Sequence, residues 1–232
     1  MLQTVSPRQI FRILIVSALG IYSLPCPTRR WMFLQKVDDM ATNPRILAFA
    51  GSTRTDSYNK KLVQIAAAGA RTAGAEVTYV DLRDLPMPLF DEDLETSHGL
   101  PPAARQFKDL LLAHQGLLIA SPEYNSSIAA VLKNAIDWAS RPTAGEPPLA
   151  GFTNKAAVIM SASPGALGGL RGLVHLRSIL GNIKVLVLPD QIAVPKAHEA
   201  FNPDGSLKDA KQQASIEQLG QKLTEILVKL NA

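Results

Sequence analysis

At 232 residues and 47% apolar, the chain is long enough for one domain with a sizeable core. Its net charge of +4 sits mostly in residues 1–39, where Arg8, Arg12, Arg29, Arg30 and Lys36 against Asp38 and Asp39 give +3, so the near-neutral body excludes nucleic-acid binding. The one cysteine, Cys26, excludes a disulfide framework and leaves the body without a Cys/His metal pattern or a cysteine nucleophile, which fits a cytoplasmic protein that holds no metal.

Arg8 and Arg12 precede an apolar run over residues 13–24 that ends at Pro25-Cys26-Pro27. A positive start and a short apolar stretch have the form of a signal peptide, but no small-residue cleavage site follows. The run is also too short to span a bilayer, so no stable membrane insertion is expected. Met40-Ala-Thr-Asn-Pro44 lies just ahead of the first strand pattern and makes a natural start. Residues 1–39 are therefore read as an extension outside the fold, and residues 40–232 as the domain.

From residue 43 the pattern alternates. Residues 45–50 read as a buried strand and residues 58–73 as a helix, with Leu62, Ile65, Ala66 and Ala70 near helical spacing and Gly74 closing it. Residues 76–81 alternate as a second strand. Residues 85–93 are broken by Pro86 and Pro88 and read as an irregular loop. Residues 101–114 form a helix opened by prolines, with Phe107, Leu110 and Leu111 on one face. Residues 116–120 are an apolar third strand, 127–140 a helix, 155–161 a fourth strand, 170–180 a helix, 184–188 a fifth strand and 207–230 a long amphipathic helix.

Strands and helices in alternation imply an α/β fold, a doubly wound parallel sheet with helices on both faces. Continuous apolar strands fit burial on both sides. Five strands suit the order 2-1-3-4-5, with a ligand crevice outside the carboxyl ends of strands 1 and 3. That topology requires unusual loops after strands 1, 3 and 4, and the sequence has them. Gly51-Ser-Thr-Arg-Thr-Asp-Ser-Tyr-Asn59 joins a strand to a helix, where unpaired N–H groups and the positive helix end favour an anion. Arg54 adds a planar charged fork that matches a phosphate. A simple turn with Asp56 or Ser57 as helix cap fits the same residues. The loop lacks the Gly-Lys-Ser/Thr of a Walker loop and the further glycines of the dinucleotide fingerprint. Ser121-Pro-Glu-Tyr-Asn125 can present backbone groups to a planar heterocycle, or form a turn capped by Asn125 or Ser126. Residues 161–169 are rich in small side chains, so backbone can approach a flat ligand.

Together these motifs carry a family resemblance. Gly51–Asn59 resembles the G-S-x-R-x-x-S-x-N loop of the NAD(P)H-dependent FMN reductases. Ser121–Asn125, running into Leu132-Lys-Asn-Ala-Ile-Asp-Trp138, resembles their second signature, and His175-Leu-Arg177 is similar to the chromate and quinone reductase branch. The resemblance covers residues 45 to about 195. It implies a flavodoxin-like fold holding FMN, with NADPH or NADH as co-substrate. It places Ser52, Thr53, Arg54, Ser57, Tyr58 and Asn59 around the FMN phosphate, with Ser52, Arg54, Ser57 and Asn59 holding it. It places Pro122, Glu123, Tyr124 and Asn125 along the isoalloxazine edge, with Ser163 and its neighbour Gly165 closing the other side. Members are typically homodimers or homotetramers, which makes Trp138 an interface candidate, while its helical spacing fits core packing equally. Hydride chemistry belongs to the flavin N5, so no catalytic side chain is expected. The implied activity is reduction of a small-molecule electron acceptor, a quinone or else chromate or an azo compound, in two half-reactions. The rival readings are a reductase that releases reduced FMN to a partner and a flavodoxin-type electron carrier; a near-neutral body and Arg54 in the loop argue against the carrier.

Overall fold

The computed structural model describes residues 43–230. The proposed boundary at residues 39 and 40, and the extension before it, lie outside the described residues. In chain order the elements are β1 (Arg45–Ala50), α1 (Tyr58–Thr72), β2 (Glu76–Asp81), α2 (Glu92–His98), α3 (Pro102–Ala113), β3 (Gly116–Ala120), β4 (Glu123–Tyr124), β5 (Ser127–Ile128), α4 (Ala130–Ser140), β6 (Ala156–Ala162), α5 (Leu170–Asn182), β7 (Leu186–Val194), α6 (Ala197–Ala200) and α7 (Ala210–Leu230).

Five parallel strands form one sheet in the order β2-β1-β3-β6-β7. With the small β4–β5 hairpin set aside, that is the 2-1-3-4-5 order expected from the sequence. Strand residues point alternately to the two faces and both faces are buried. Ile46, Ala48 and Ala50 join α1 and α7 in one core. Leu47 and Phe49 join α3, α4 and α5 in the other. α1 and α7 approach to backbone contact, since a Cβ on Gly220 would lie 1.9 Å from the Ala66 carbonyl oxygen.

The structure departs from the sequence reading chiefly in three elements, and the last helix begins at Ala210 rather than at residue 207. The helix read over residues 127–140 begins only at Ala130, because Ser127 and Ile128 pair antiparallel with Tyr124 and Glu123. The segment read as a loop over residues 85–93 already contains the start of α2, capped by Asp91. α2 buries no residue, so it leaves no apolar period to detect. The fifth strand runs past Pro189 to Val194, beyond the expected end at Leu188. Proline is tolerated there because β7 is an edge strand with a register shift, Val187 pairing with Ala157 and Gln191 with Ile159. Arg177 caps this bulge by donating to the Leu188 carbonyl at 2.8 Å and the Val187 carbonyl at 3.2 Å.

Candidate functional site

The loop after β1 leaves the sheet at the point where strand order reverses, and the Gly51 amide donates across the gap to the Ala120 carbonyl at 2.8 Å. Ser52, Ser57 and Asn59 turn inward and are buried, while Thr53, Arg54, Thr55 and Asp56 are exposed. The Ser52 hydroxyl accepts from the Arg54 amide at 3.3 Å. Ser57 occupies the cap position of α1, but its hydroxyl makes no cap hydrogen bond. Among the described residues, the amides of Thr53, Thr55, Asp56 and Ser57 donate to no backbone carbonyl. A loop of free amides at a helix N-terminus, with no acidic residue in the first turn, is suited to an anion.

Asn59 does something different from its neighbours. Its Nδ2 donates to the Ala162 carbonyl at 2.9 Å and its Oδ1 accepts from the Ala162 amide at 2.9 Å. Each end of the amide makes one bond to the Ala162 backbone, so Asn59 ties the first loop to the end of β6. Tyr58 stacks on Phe201 with ring centroids 5.7 Å apart. Lys60 pairs with Asp81 at 2.5 Å. The Arg83 guanidinium, on the turn after β2, hydrogen-bonds the Thr55 hydroxyl. Sequence reasoning missed Arg83 because the loop after strand 2 carries no motif; the only hint was its place on the same sheet rim.

The loop after β3 is a hairpin rather than a capped helix entry. Asn125 and Ser126 have φ of 50° and 66°, the left-handed pair that a tight two-residue turn between twisted strands requires. Pro122 is buried, and Tyr124 and Asn125 are exposed at the tip. The Glu123 carboxylate reaches away to α5, meeting Arg171 at 2.6 Å and the Gly172 amide at 3.2 Å. Burial pushes that carboxyl up, but the Gly172 amide and the Arg171 guanidinium outweigh it and hold it below the usual carboxylate range. Glu123 therefore offers a ligand its backbone, and spends its side chain on fixing the hairpin. His175 Nδ1 makes a second tie, 2.9 Å from the Ser127 hydroxyl.

The loop after β6 is held by backbone. Ser163 donates its amide to the Val194 carbonyl at 3.1 Å, and its hydroxyl accepts from the Gly165 amide at 3.3 Å. Gly169 sits at φ 93°, and a Cβ there would lie 1.9 Å from the Ser161 hydroxyl oxygen. Ser161 is wholly buried and its hydroxyl has no hydrogen-bond partner. The three loops thus converge at the carboxyl edge of β1, β3 and β6. They offer free amides and a guanidinium at one end and a rigid hairpin with exposed Tyr124 at the other. That combination suits a molecule with a monophosphate and a flat polar ring. Trp138 is not on the rim and has no exposed surface in its own chain.

Among the described residues no helix is long and apolar enough to cross a membrane. A family model described as NADPH-dependent FMN reductase matches residues 44–199. An NAD(P)H-dependent FMN reductase of Pseudomonas aeruginosa is 38% identical over 180 residues, spanning 77% of this chain and 92% of that protein. A probable NADPH:quinone oxidoreductase of Oryza sativa subsp. japonica is 34% identical over 193 residues, 81% of this chain and 87% of its own length. Among solved structures, the flavoenzyme NAD(P)H:(acceptor) oxidoreductase FerB from Paracoccus denitrificans superposes with a TM-score of 0.67 at 26% identity, covering 80% of this chain and 98% of its own.

Proposed function

The chain belongs to the NADPH-dependent FMN reductase family, as an oxidoreductase that works with FMN and NAD(P)H, and from that premise we propose that it reduces quinones or similar acceptors at the rim of β1, β3 and β6. The observation that carries the site assignment is the set of amides of Thr53, Thr55, Asp56 and Ser57 that donate to no backbone carbonyl, beside the Arg54 side chain. Ser52, Thr53, Arg54 and Ser57 would hold the FMN phosphate through amides, hydroxyls and one guanidinium. Asn59 would position that loop by its two bonds to Ala162, and Tyr58 by its stack on Phe201. Pro122, the Glu123 backbone, Tyr124 and Asn125 would line the ring edge, and Ser163 and Gly165 the opposite side. When bound, FMN supplies hydride transfer between NAD(P)H and the acceptor, each using the site in turn.

The chain's own part is binding, orientation and electrostatics. Free amides and Arg54 place positive potential at the phosphate end. The hairpin, tied to α5 by Glu123 and His175, keeps the ring edge from shifting when one substrate leaves and the next arrives. The relatives named for quinones support that acceptor class; chromate and azo compounds belong in the same screen. Leu167, Leu170 and Val174 are exposed beside the third loop and support assembly of the chain as a homodimer or homotetramer, which light scattering would measure.

The deciding experiment is a visible spectrum of the purified full-length protein before and after anaerobic NADPH. A bound-flavin spectrum that bleaches, and recovers on adding a quinone, supports the reading. A colourless protein that takes up no added FMN sinks it. Arg54→Ala is expected to lose flavin during gel filtration while the parent retains it.

A further inference from the structure

Arg83 lies outside every motif of the sequence, yet the fold brings it to the first loop. It follows β2, whose carboxyl end shares the rim with β1 through the parallel pairing of Ala50 with Asp81. Asp81 organises the approach. Its Oδ1 accepts the Arg83 amide at 3.0 Å and its Oδ2 takes Lys60 at 2.5 Å. The Arg83 side chain then reaches the Thr55 hydroxyl. Among the described residues neither Arg83 nor Arg54 is in an ion pair, whereas Lys60 is neutralised by Asp81. One unneutralised guanidinium, that of Arg54, therefore belongs to the short, amide-lined loop, and a second, that of Arg83, is hydrogen-bonded to it.

Charge bookkeeping explains why two are needed. A phosphate monoester carries close to two negative charges at neutral pH. The helix N-terminus contributes roughly half a positive charge and Arg54 one more. Asp56 in the same loop works in the opposite direction. A second full charge brings the sum near balance, and a guanidinium hydrogen-bonded to the Thr55 hydroxyl, on a backbone fixed by Asp81, delivers it with little loss of rotamer freedom. We infer that Arg83 is the second cationic wall of the phosphate pocket and makes the site select flavin bearing a monophosphate over the same ring without one. This rests on the FMN reading above.

The test titrates the full-length chain, freed of flavin by dialysis and checked for fold by far-UV circular dichroism, with FMN and separately with riboflavin, following flavin fluorescence. Arg83→Gln is expected to weaken FMN about tenfold, the size of one charge-assisted hydrogen bond, and to leave riboflavin unchanged. Arg83→Lys keeps the charge and should recover most of the FMN affinity; it also carries the test if the glutamine variant does not fold. A merely structural clamp on the loop would weaken both ligands in parallel, and that result overturns the inference, as does unchanged FMN binding. Arg54→Ala separates the two levels. If it weakens FMN while Arg83→Gln does not, only the role of Arg83 fails. If neither variant affects FMN and the parent binds riboflavin as tightly, the phosphate-pocket reading fails with it.

Discussion

Asn59 and Lys155 are two buried polar residues whose roles depend on partners far away in sequence. Asn59 exchanges two hydrogen bonds with the Ala162 backbone, 103 residues on. Asn59→Ala strands a buried N–H and a buried C=O, so a loss of about 2–4 kcal/mol is expected in urea unfolding, with faster flavin release. The motif places Asn59 in the loop but cannot say whether its amide meets a ligand or a neighbouring strand, since either use needs the same side chain. Lys155, just before β6, is buried and donates to the His114 carbonyl. Burial, followed by the nearby charge of Arg45, lowers its pKa from 10.5 to about 8. Between those values the unfolded chain binds more protons than the folded one, so this lysine makes stability rise with pH across that window. Lys155→Met should flatten the rise, read as urea midpoints on either side of pH 9; an unchanged slope would refute the assignment.

At the scale of elements, α4 shows how a signature segment acts as scaffold. Asn134 Oδ1 accepts the Phe90 amide at 2.8 Å, and its Nδ2 donates to the Pro88 carbonyl at 2.9 Å. One turn on, Trp138 donates to the same Pro88 carbonyl at 2.8 Å and meets the Phe90 ring edge-on at 5.0 Å. The two residues at i and i+4 thus staple the proline-rich segment onto α4. Trp138 is buried in the core of its own chain, the role its helical spacing fitted, rather than at the interface that the resemblance implied. Asn134→Leu leaves the Phe90 amide unpaired and should cost about 1–3 kcal/mol in stability, with protease cleavage near residues 85–91 appearing first. On the opposite face, Gly220→Ala would press a methyl into the Ala66 carbonyl, which cannot move without shifting α1. A loss of about 2–3 kcal/mol is expected from thermal or urea unfolding, as for other over-packed contacts.

For the molecule as a whole, a ligand that binds only the folded chain raises its stability. FMN at about 100 times its dissociation constant should add about 2.7 kcal/mol and raise Tm by roughly 5–10 °C, as seen by differential scanning fluorimetry on flavin-stripped protein. An unchanged Tm would count against FMN as the resident group. The sequence alone determined the strand and helix alternation, the strand order and the carboxyl-edge location of the candidate ligand loops. Those follow from local signals: apolar runs of strand length, helical spacing and polar turns between them. Tertiary structure alone decided that residues 123–128 fold into a hairpin, because strand pairing overrides the helical pattern that continues into Ala130. It alone decided that Glu123 serves α5 and that Asn59 serves Ala162. It also brought Arg83 to Thr55, since β2 and β1 are neighbours only after a helix has crossed between them, and no pattern within either strand records which side chains meet at their shared end.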